Sequence, residues 1–275
     1  MFQINSAFKN KRSISPGAAI AKNPNVAIIF VDDLVSAPVR NEGGVKQEGN
    51  YVFKPNTRPI YCYMTISKQE PTYESDGEED GISVMHKFQG FHPGDELPIN
   101  ELIQNTMGKN VIIMYGSCEQ PFKKVYGTKC APLQLKPSFA ANNDSTGHTL
   151  LFEQFAKSAY LPAHWEGDLP EGDAHAVGGL EVDALEANGL IYKLDGSDVA
   201  ASTVDIASID LTTGTYVTLI GGGGTNPATL SDGAATAATV LLKEGADWSA
   251  LEGSTIDLEV FTNGGTTYLI ERHRS

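Results

Sequence analysis

Residues 82–91, ISVMHKFQGF, set Ile82, Val84 and Phe88 on one side of an extended chain and Ser83, Lys87 and Gln89 on the other. That period of two is the pattern of a half-buried β-strand. Two runs upstream carry the same kind of signal: residues 26–31 (VAIIFV) are short, apolar and β-branched, and residues 60–67 (IYCYMTIS) alternate aromatic and small side chains. β-branched and aromatic residues favour a pleated, half-buried surface. The three runs are expected to be strands of an antiparallel sheet.

Downstream, the turn at 92–96 (HPGDE) leads into residues 97–107 (LPINELIQNTM), where Pro98 suits a first helical turn and Ile99, Leu102, Ile103 and Met107 recur at helical spacing. Gly108 fits the position just past the helix end. The spacing predicts one short amphipathic helix. Further strands are expected at 110–115 (NVIIMY), 124–127, 130–136 and 147–155 (GHTLLFEQF), separated by turn clusters such as residues 141–145. Residues 32–59 form a long stretch rich in Gly, Asn, Pro and charge, with one extended piece at 50–54 (NYVFK). Loops of this length are usually functional, and a projecting hairpin is expected here.

Composition changes near Pro170. Sixteen of the 20 Lys and Arg and 18 of the 34 Asp and Glu precede Glu171, so the first part carries −2 and the second −12. The break predicts two packed units, each long enough for its own core. Residues 166–179 (EGDLPEGDAHAVGG) read as a linker. Beyond it, strands are expected at 190–193, 204–211, 215–220, 238–243, 254–261 and 266–272, the last two joined by a hairpin turn at Asn263-Gly264-Gly265. The expected organisation is an N-terminal arm (1–24), a β domain with one flanking helix (25–165), the linker (166–179) and a small β-sandwich (180–275). The fold class is mainly β.

A net charge of −14 and a pI near 4.8 argue against wrapping a polyanion, which needs clustered Lys and Arg. No apolar run approaches the ~18 residues needed to cross a bilayer, and residues 1–21 lack the apolar stretch of a secretory leader. Synthesis in a reducing cytoplasm fits the odd cysteine count, and Cys62, Cys118 and Cys130 are expected to be free, buried or half-buried thiols.

Chemical motifs are sparse. Residues 74–81 (ESDGEEDG) crowd carboxylates, but a calcium loop needs ligands at alternate positions with a central Gly and a terminal Glu; a solvated loop is the better reading. Residues 221–225 (GGGGT) lack the Lys-Ser/Thr of a phosphate loop and are read as a flexible connection. His164 and His175 with Glu166, Asp168 and Asp173 are the only acid and imidazole groups worth weighing as metal ligands, in a linker poorly preorganised for it. Neither a serine-hydrolase elbow nor a catalytic-cysteine signature is present. No enzyme activity, cofactor or metal is expected.

The order of strand 60–67, acidic turn, strand 82–91 with Gly90 and Pro93-Gly94, helix 99–107, strand 111–114, the turn 127–133 (GTKCAPL) and strand 147–153 resembles the tail-tube structural proteins of tailed bacteriophages, especially those of Bacteroidetes hosts. The resemblance covers about residues 25–160. It implies two packed β-sheets or a barrel with one helix, closed into usually hexameric rings that stack into a hollow tube and conduct DNA without binding it specifically. Its partners would be copies of itself and other tail proteins such as sheath, tape measure or terminator, with no membrane. Long loops and terminal arms of that family reach neighbouring rings, which makes Asp33, Arg40, Tyr51, Phe53 and Arg58 the candidate inter-ring loop. Glu74, Asp76, Glu78, Glu79 and Asp80 are the candidate acidic loop, facing either the lumen, where carboxylates would repel phosphate, or the outer surface. The second part resembles the β domains that virion proteins carry outward. Two other readings stay open: a capsid decoration or head-to-tail connector protein, and a carbohydrate-binding or adhesive module.

Overall fold

The computed structural model describes residues 20–117, 120–143, 145–170 and 173–275. The chain is mainly β, with the one α-helix among the described residues at Leu97–Thr106, and it divides into two units. The first holds residues up to Asp33, Arg40–Gln47 and Pro59–Asp168; the second holds Leu34–Val39, Glu48–Arg58 and Leu169–Ser275. Among the described residues no helix is long and apolar enough to cross a membrane.

In the first unit the strands run, from edge to edge, Val39–Arg40, Lys46–Glu48, Ala163–Trp165, Lys123–Tyr126, Val111–Tyr115, Leu133–Ala141, Thr146–Gln154, Ser83–Pro93 and Glu70–Asp76. Val111–Tyr115 is the junction. Its other edge bonds Asn25–Phe30, which in turn bonds Ile60–Tyr63. The expected strands at 26–31, 60–67 and 82–91 thus share one branched sheet, the first two being direct antiparallel neighbours. Just past Ile60–Tyr63 the chain meets the far end of Ser83–Pro93, where Thr65 N–H donates to Phe91 O at 2.9 Å. The sheet therefore curls round on itself.

Side chains from both branches fill the space inside: Val26, Ile28, Met64, Phe88, Val111, Ile113, Leu133 and Phe152, with Ile99 and Ile103 of the helix packed against them. Alternation in Ser83–Pro93 is what aims Val84, His86 and Phe88 inward. Gly90 continues that row without a side chain, because a Cβ there would lie 2.1 Å from Met64 Sδ.

His86 is fully buried and both ring nitrogens are used: Gly127 N–H donates to Nδ1 at 3.0 Å, and Nε2 lies 2.9 Å from Tyr160 O, which makes it the protonated nitrogen. Burial holds this imidazole below its ordinary pKa of 6.5. Protonating Nδ1 breaks the Gly127 bond, so His86 withdraws stability from the fold as pH falls below about 6.5. His86→Phe strands the buried Gly127 N–H and takes the partner from the part-buried Tyr160 carbonyl, and should cost about 2–4 kcal/mol in urea unfolding at pH 7.5. A loss under about 1 kcal/mol would show that neither bond matters.

The second unit is built on a mixed seven-stranded sheet in the order His175–Ala176, Ile191–Lys193, Tyr216–Ile220, Thr255–Asn263, Thr266–Arg274, Thr239–Leu241 and Gly233–Ala234. The ladders Glu181–Ala184 with Asp205–Ile209 and Thr229–Leu230 with Trp248–Ser249 add Val182, Ile206, Leu230 and Trp248 to one core with Tyr192, Leu219, Ile256, Leu258 and Leu269 of the large sheet. The hairpin at Asn263-Gly264-Gly265 forms as expected, with Asn263 opposite Thr266.

Several expectations need correction. Residues 32–59 do not project as one hairpin. Leu34–Ser36 pairs with Val52–Phe53, Tyr51 and Val52 are fully buried, and both pieces count with the second unit. The unit boundary, between Asp168 and Leu169, falls inside the stretch expected as a linker at 166–179, but that stretch also packs and pairs: Leu169 is buried and His175–Ala176 pairs in parallel with Ile191–Lys193. Residues 221–224 are not a flexible connection; they thread between residues 194–197 and 250–254 through backbone bonds such as Ser197 N–H to Gly223 O and Gly223 N–H to Ala250 O. Cys62 is buried, with desolvation pushing its thiol up to about 11, whereas Cys130 is exposed. Cys118 and most of the arm expected at 1–24 lie outside the described residues.

Candidate assembly surface

Glu70–Asp76 is the last strand of the first unit's sheet, and among the described residues no strand pairs with its outer side. The direction of each backbone group follows from the neighbouring strand. Val84 exchanges N–H and C=O bonds with Ser158, at 2.7 and 2.8 Å, on the side of Ser83–Pro93 away from Glu70–Asp76, and His86 N–H turns the same way to Gln154 Oε1. Even-numbered residues of that strand thus face away, and odd-numbered ones face Glu70–Asp76, as the Phe91 carbonyl does at the strand's far end. Through the register Glu70↔Gln89, Thr72↔Lys87, Glu74↔Met85 and Asp76↔Ser83, the even-numbered residues of Glu70–Asp76 take up the ladder. The free edge therefore presents the N–H groups of Tyr73 and Ser75 and the carbonyls of Pro71, Tyr73 and Ser75. Proline sits where a missing N–H costs the ladder nothing.

The other long margin, Ile60–Tyr63, is less open, since His92 Nδ1 lies 2.8 Å from Tyr63 O and the Tyr63 ring meets the His92 ring edge-on. Exposed apolar side chains favour the first unit. Twelve of the sixteen large exposed hydrophobic residues among the described ones lie there, including Tyr61, Tyr63, Tyr73, Phe139 and Phe155. Clusters of this kind mark interaction surfaces when contiguous.

The acidic residues at 74–80 form the end of the hairpin that carries this edge. Glu74 lies 3.8 Å from Lys87 Nζ, and Asp76 is hydrogen-bonded to Lys157, which holds its carboxyl below the ordinary range. Glu78, Glu79 and Asp80 occupy the exposed turn, whose shape depends on Gly77 at φ 140° and Asp80 at φ 66°.

The candidate loop residues do not form one site. Asp33 ends a single 3-10 turn at Val31–Asp33. Arg40 belongs to the first unit, donating to Gly44 O and Leu161 O, both at 2.9 Å, and lying over the Tyr160 ring. Tyr51, Phe53 and Arg58 count with the second unit; Tyr51 is buried, Phe53 half-buried and Arg58 exposed. Tyr51, expected as a candidate inter-ring loop residue, is buried in the core.

Nor do the weighed metal ligands assemble. The His164 ring packs on Phe122, Glu166 pairs with Lys46 at 3.2 Å, Asp168 with Lys123 at 2.9 Å, and Asp173 accepts from Asn56 N–H at 2.9 Å. Among the described residues no group of three or more His, Cys, Asp or Glu is placed to hold a metal ion.

No protein-family model matches the chain, and neither a curated protein nor a solved structure matches it.

Proposed function

We propose that this is a virion structural protein, a tail-tube type of subunit that closes into stacked rings and conducts DNA, with the second unit facing outward. The observation that carries the reading is the open edge of Glu70–Asp76, an end strand of the first unit's sheet. An added strand from a second copy would gain main-chain hydrogen bonds with little dependence on side chains. A head-to-tail contact of that kind makes a ring wherever the rotation closes. The carboxylates at 74–80 and the chain's −14 charge suit a channel that DNA passes without being retained.

Ser75→Pro tests it. Proline removes an outward N–H without touching the ladder to Ser83–Pro93, so the subunit should keep its urea midpoint while ring formation is lost. Negative-stain images of the concentrated full chain should show annuli or hollow cylinders, and images of the variant only single particles. Rings in both, or compact single particles in both at high concentration, would remove the edge from the account.

A further inference from the structure

A basic hollow lies in the same unit as the acidic hairpin. Direct pairing across the ladders sets Lys124, His164 and Lys46 side by side on three neighbouring strands, and residues paired in this way point to the same face. Phe122, His164, Lys46 and Glu166 line a hollow of about 330 Å³ together with the turn at residues 41–45. The Phe122 and His164 rings pack at 4.3 Å between centroids, and Lys124 Nζ lies 3.4 Å from His164 Nδ1. Glu166 is paired with Lys46 at 3.2 Å, which leaves the Lys124 ammonium with an imidazole neighbour and no carboxylate among the described residues. Burial holds Lys124 below its ordinary pKa, and burial together with the Lys124 charge holds His164 below its own, against the upward pull of Glu166. An arriving carboxylate would relieve both groups.

The hairpin end supplies such carboxylates. Glu74 and Asp76 have Lys87 and Lys157 as partners, but Glu78, Glu79 and Asp80 are exposed and meet no cation among the described residues, so the turn does not fill the hollow of its own chain. Its shape is set in advance: Gly81 N–H donates to Glu78 O at 3.0 Å, and a Cβ at Gly77 would lie 2.3 Å from Gly81 O. In the strand order of the sheet, Glu70–Asp76 is one end, and Val39–Arg40 with Lys46–Glu48, the strands on either side of the turn that lines the hollow, are the other. Opposite charge at the two ends of one strand order suits a head-to-tail contact, in which each copy offers one surface and receives a different one.

We propose that the hollow bearing Lys46, Lys124, His164 and Phe122 receives the acidic turn Glu78, Glu79 and Asp80 of a second copy. This contact rests on the proposed function and names the surface that holds the tip of its open-edged hairpin.

Reversing charge on either side of the contact in the full-length chain tests it by sedimentation velocity. The triple variant Glu78→Lys, Glu79→Lys, Asp80→Lys and the single variant Lys124→Glu should each associate with themselves at least about tenfold more weakly than the natural chain. An equimolar mixture of the two should form a one-to-one complex tighter than either variant forms alone. If Lys124→Glu lowers the urea midpoint, Lys124→Gln takes its place, with a weakening of about threefold or more expected. A natural chain that stays monomeric at high concentration, variants that associate as strongly as it does, or a mixture no tighter than its components would each overturn the contact. Copies that associate and obey the charge swap but show no annuli in micrographs would leave the contact standing and end the tube reading, whereas annuli that survive both reversals would end the contact and leave the tube reading in place.

Discussion

Gly222→Ala should abolish the native second unit while the first unit keeps its fold. A Cβ at this position would lie 2.4 Å from both Leu194 O and Asp195 C and 2.5 Å from Gly196 N. All three are backbone atoms, so no rotamer change relieves the clash. The flanks are equally tight: Gly221 would meet Leu251 O at 2.2 Å and Gly224 would meet Ser197 O at 2.2 Å. Backing away would break Leu194 N–H to Ile220 O and Gly221 N–H to Ser254 O, at 2.9 and 2.8 Å. The expected loss is above about 4 kcal/mol, against a total of about 5–15 kcal/mol for a domain. Amide spectra should lose the dispersed signals of the second unit and retain those of the first. Gly264→Ala is the control: it sits at φ 58° with no atom within 4 Å of the added Cβ, and should cost only about 1–2 kcal/mol. A Gly222 variant as stable as that control would mean the three backbones do not approach this closely.

The contrast between these glycines shows what the sequence made legible. Periodicity and turn chemistry are local, so Ser83–Pro93, Leu97–Thr106, Val111–Tyr115 and the Asn263 hairpin could be read to within a few residues. A run such as GGGG is ambiguous locally, because freedom of the backbone and close approach of another backbone demand the same residue. Only the positions of 194–197 and 250–254 decide. The extended piece at 50–54 posed a similar problem: NYVFK reads as a strand, yet its assignment to the second unit depends on partners more than a hundred residues away, such as Tyr216 and Thr218 for Asn50.

Glu70–Asp76 was missed for the opposite reason. EPTYESD has no apolar alternation, since both its faces are largely exposed, and it reads as an acidic turn. Its one usable signal was Pro71 with Tyr73, which together fit an edge strand. Of the candidate acidic loop, Glu78, Glu79 and Asp80 occupy the turn while Glu74 and Asp76 belong to the strand itself, whose backbone edge carries the proposed assembly chemistry. The parallel pairings in the second unit left no trace that a strand-by-strand reading could detect, because Ile191–Lys193 and Thr239–Leu241 are only three residues long.

Stability of the second unit should fall as pH rises through about 6, and Asp257 is the reason. This carboxylate is 2% exposed; the Thr218 hydroxyl and Asn50 N–H donate to it, and Asn50 Nδ2 donates to Tyr216 O at 2.8 Å. Gly49, at φ 105°, passes so close that a Cβ would lie 2.6 Å from Asp257 Oδ2. Desolvation outweighs both donors and raises the acid from its ordinary 3.8 to about 6. Between those values the folded chain holds a proton that the unfolded chain has released, so the stabilisation is complete below about pH 4 and gone above about 6. At 1.36 kcal/mol per unit the change approaches about 3 kcal/mol. Asp257→Asn keeps the side-chain volume and an acceptor for Thr218 but has no charge to desolvate. Urea unfolding of both chains at several pH values between 4 and 7.5 should show the natural protein losing about that much relative to the variant as pH rises. His86, which burial holds below its ordinary value in the first unit, titrates in both chains and cancels in the difference. Parallel stability curves would mean that Asp257 is solvated or already neutralised in the folded chain, and the close packing of Gly49, Asn50 and Thr218 around it would have to be redrawn.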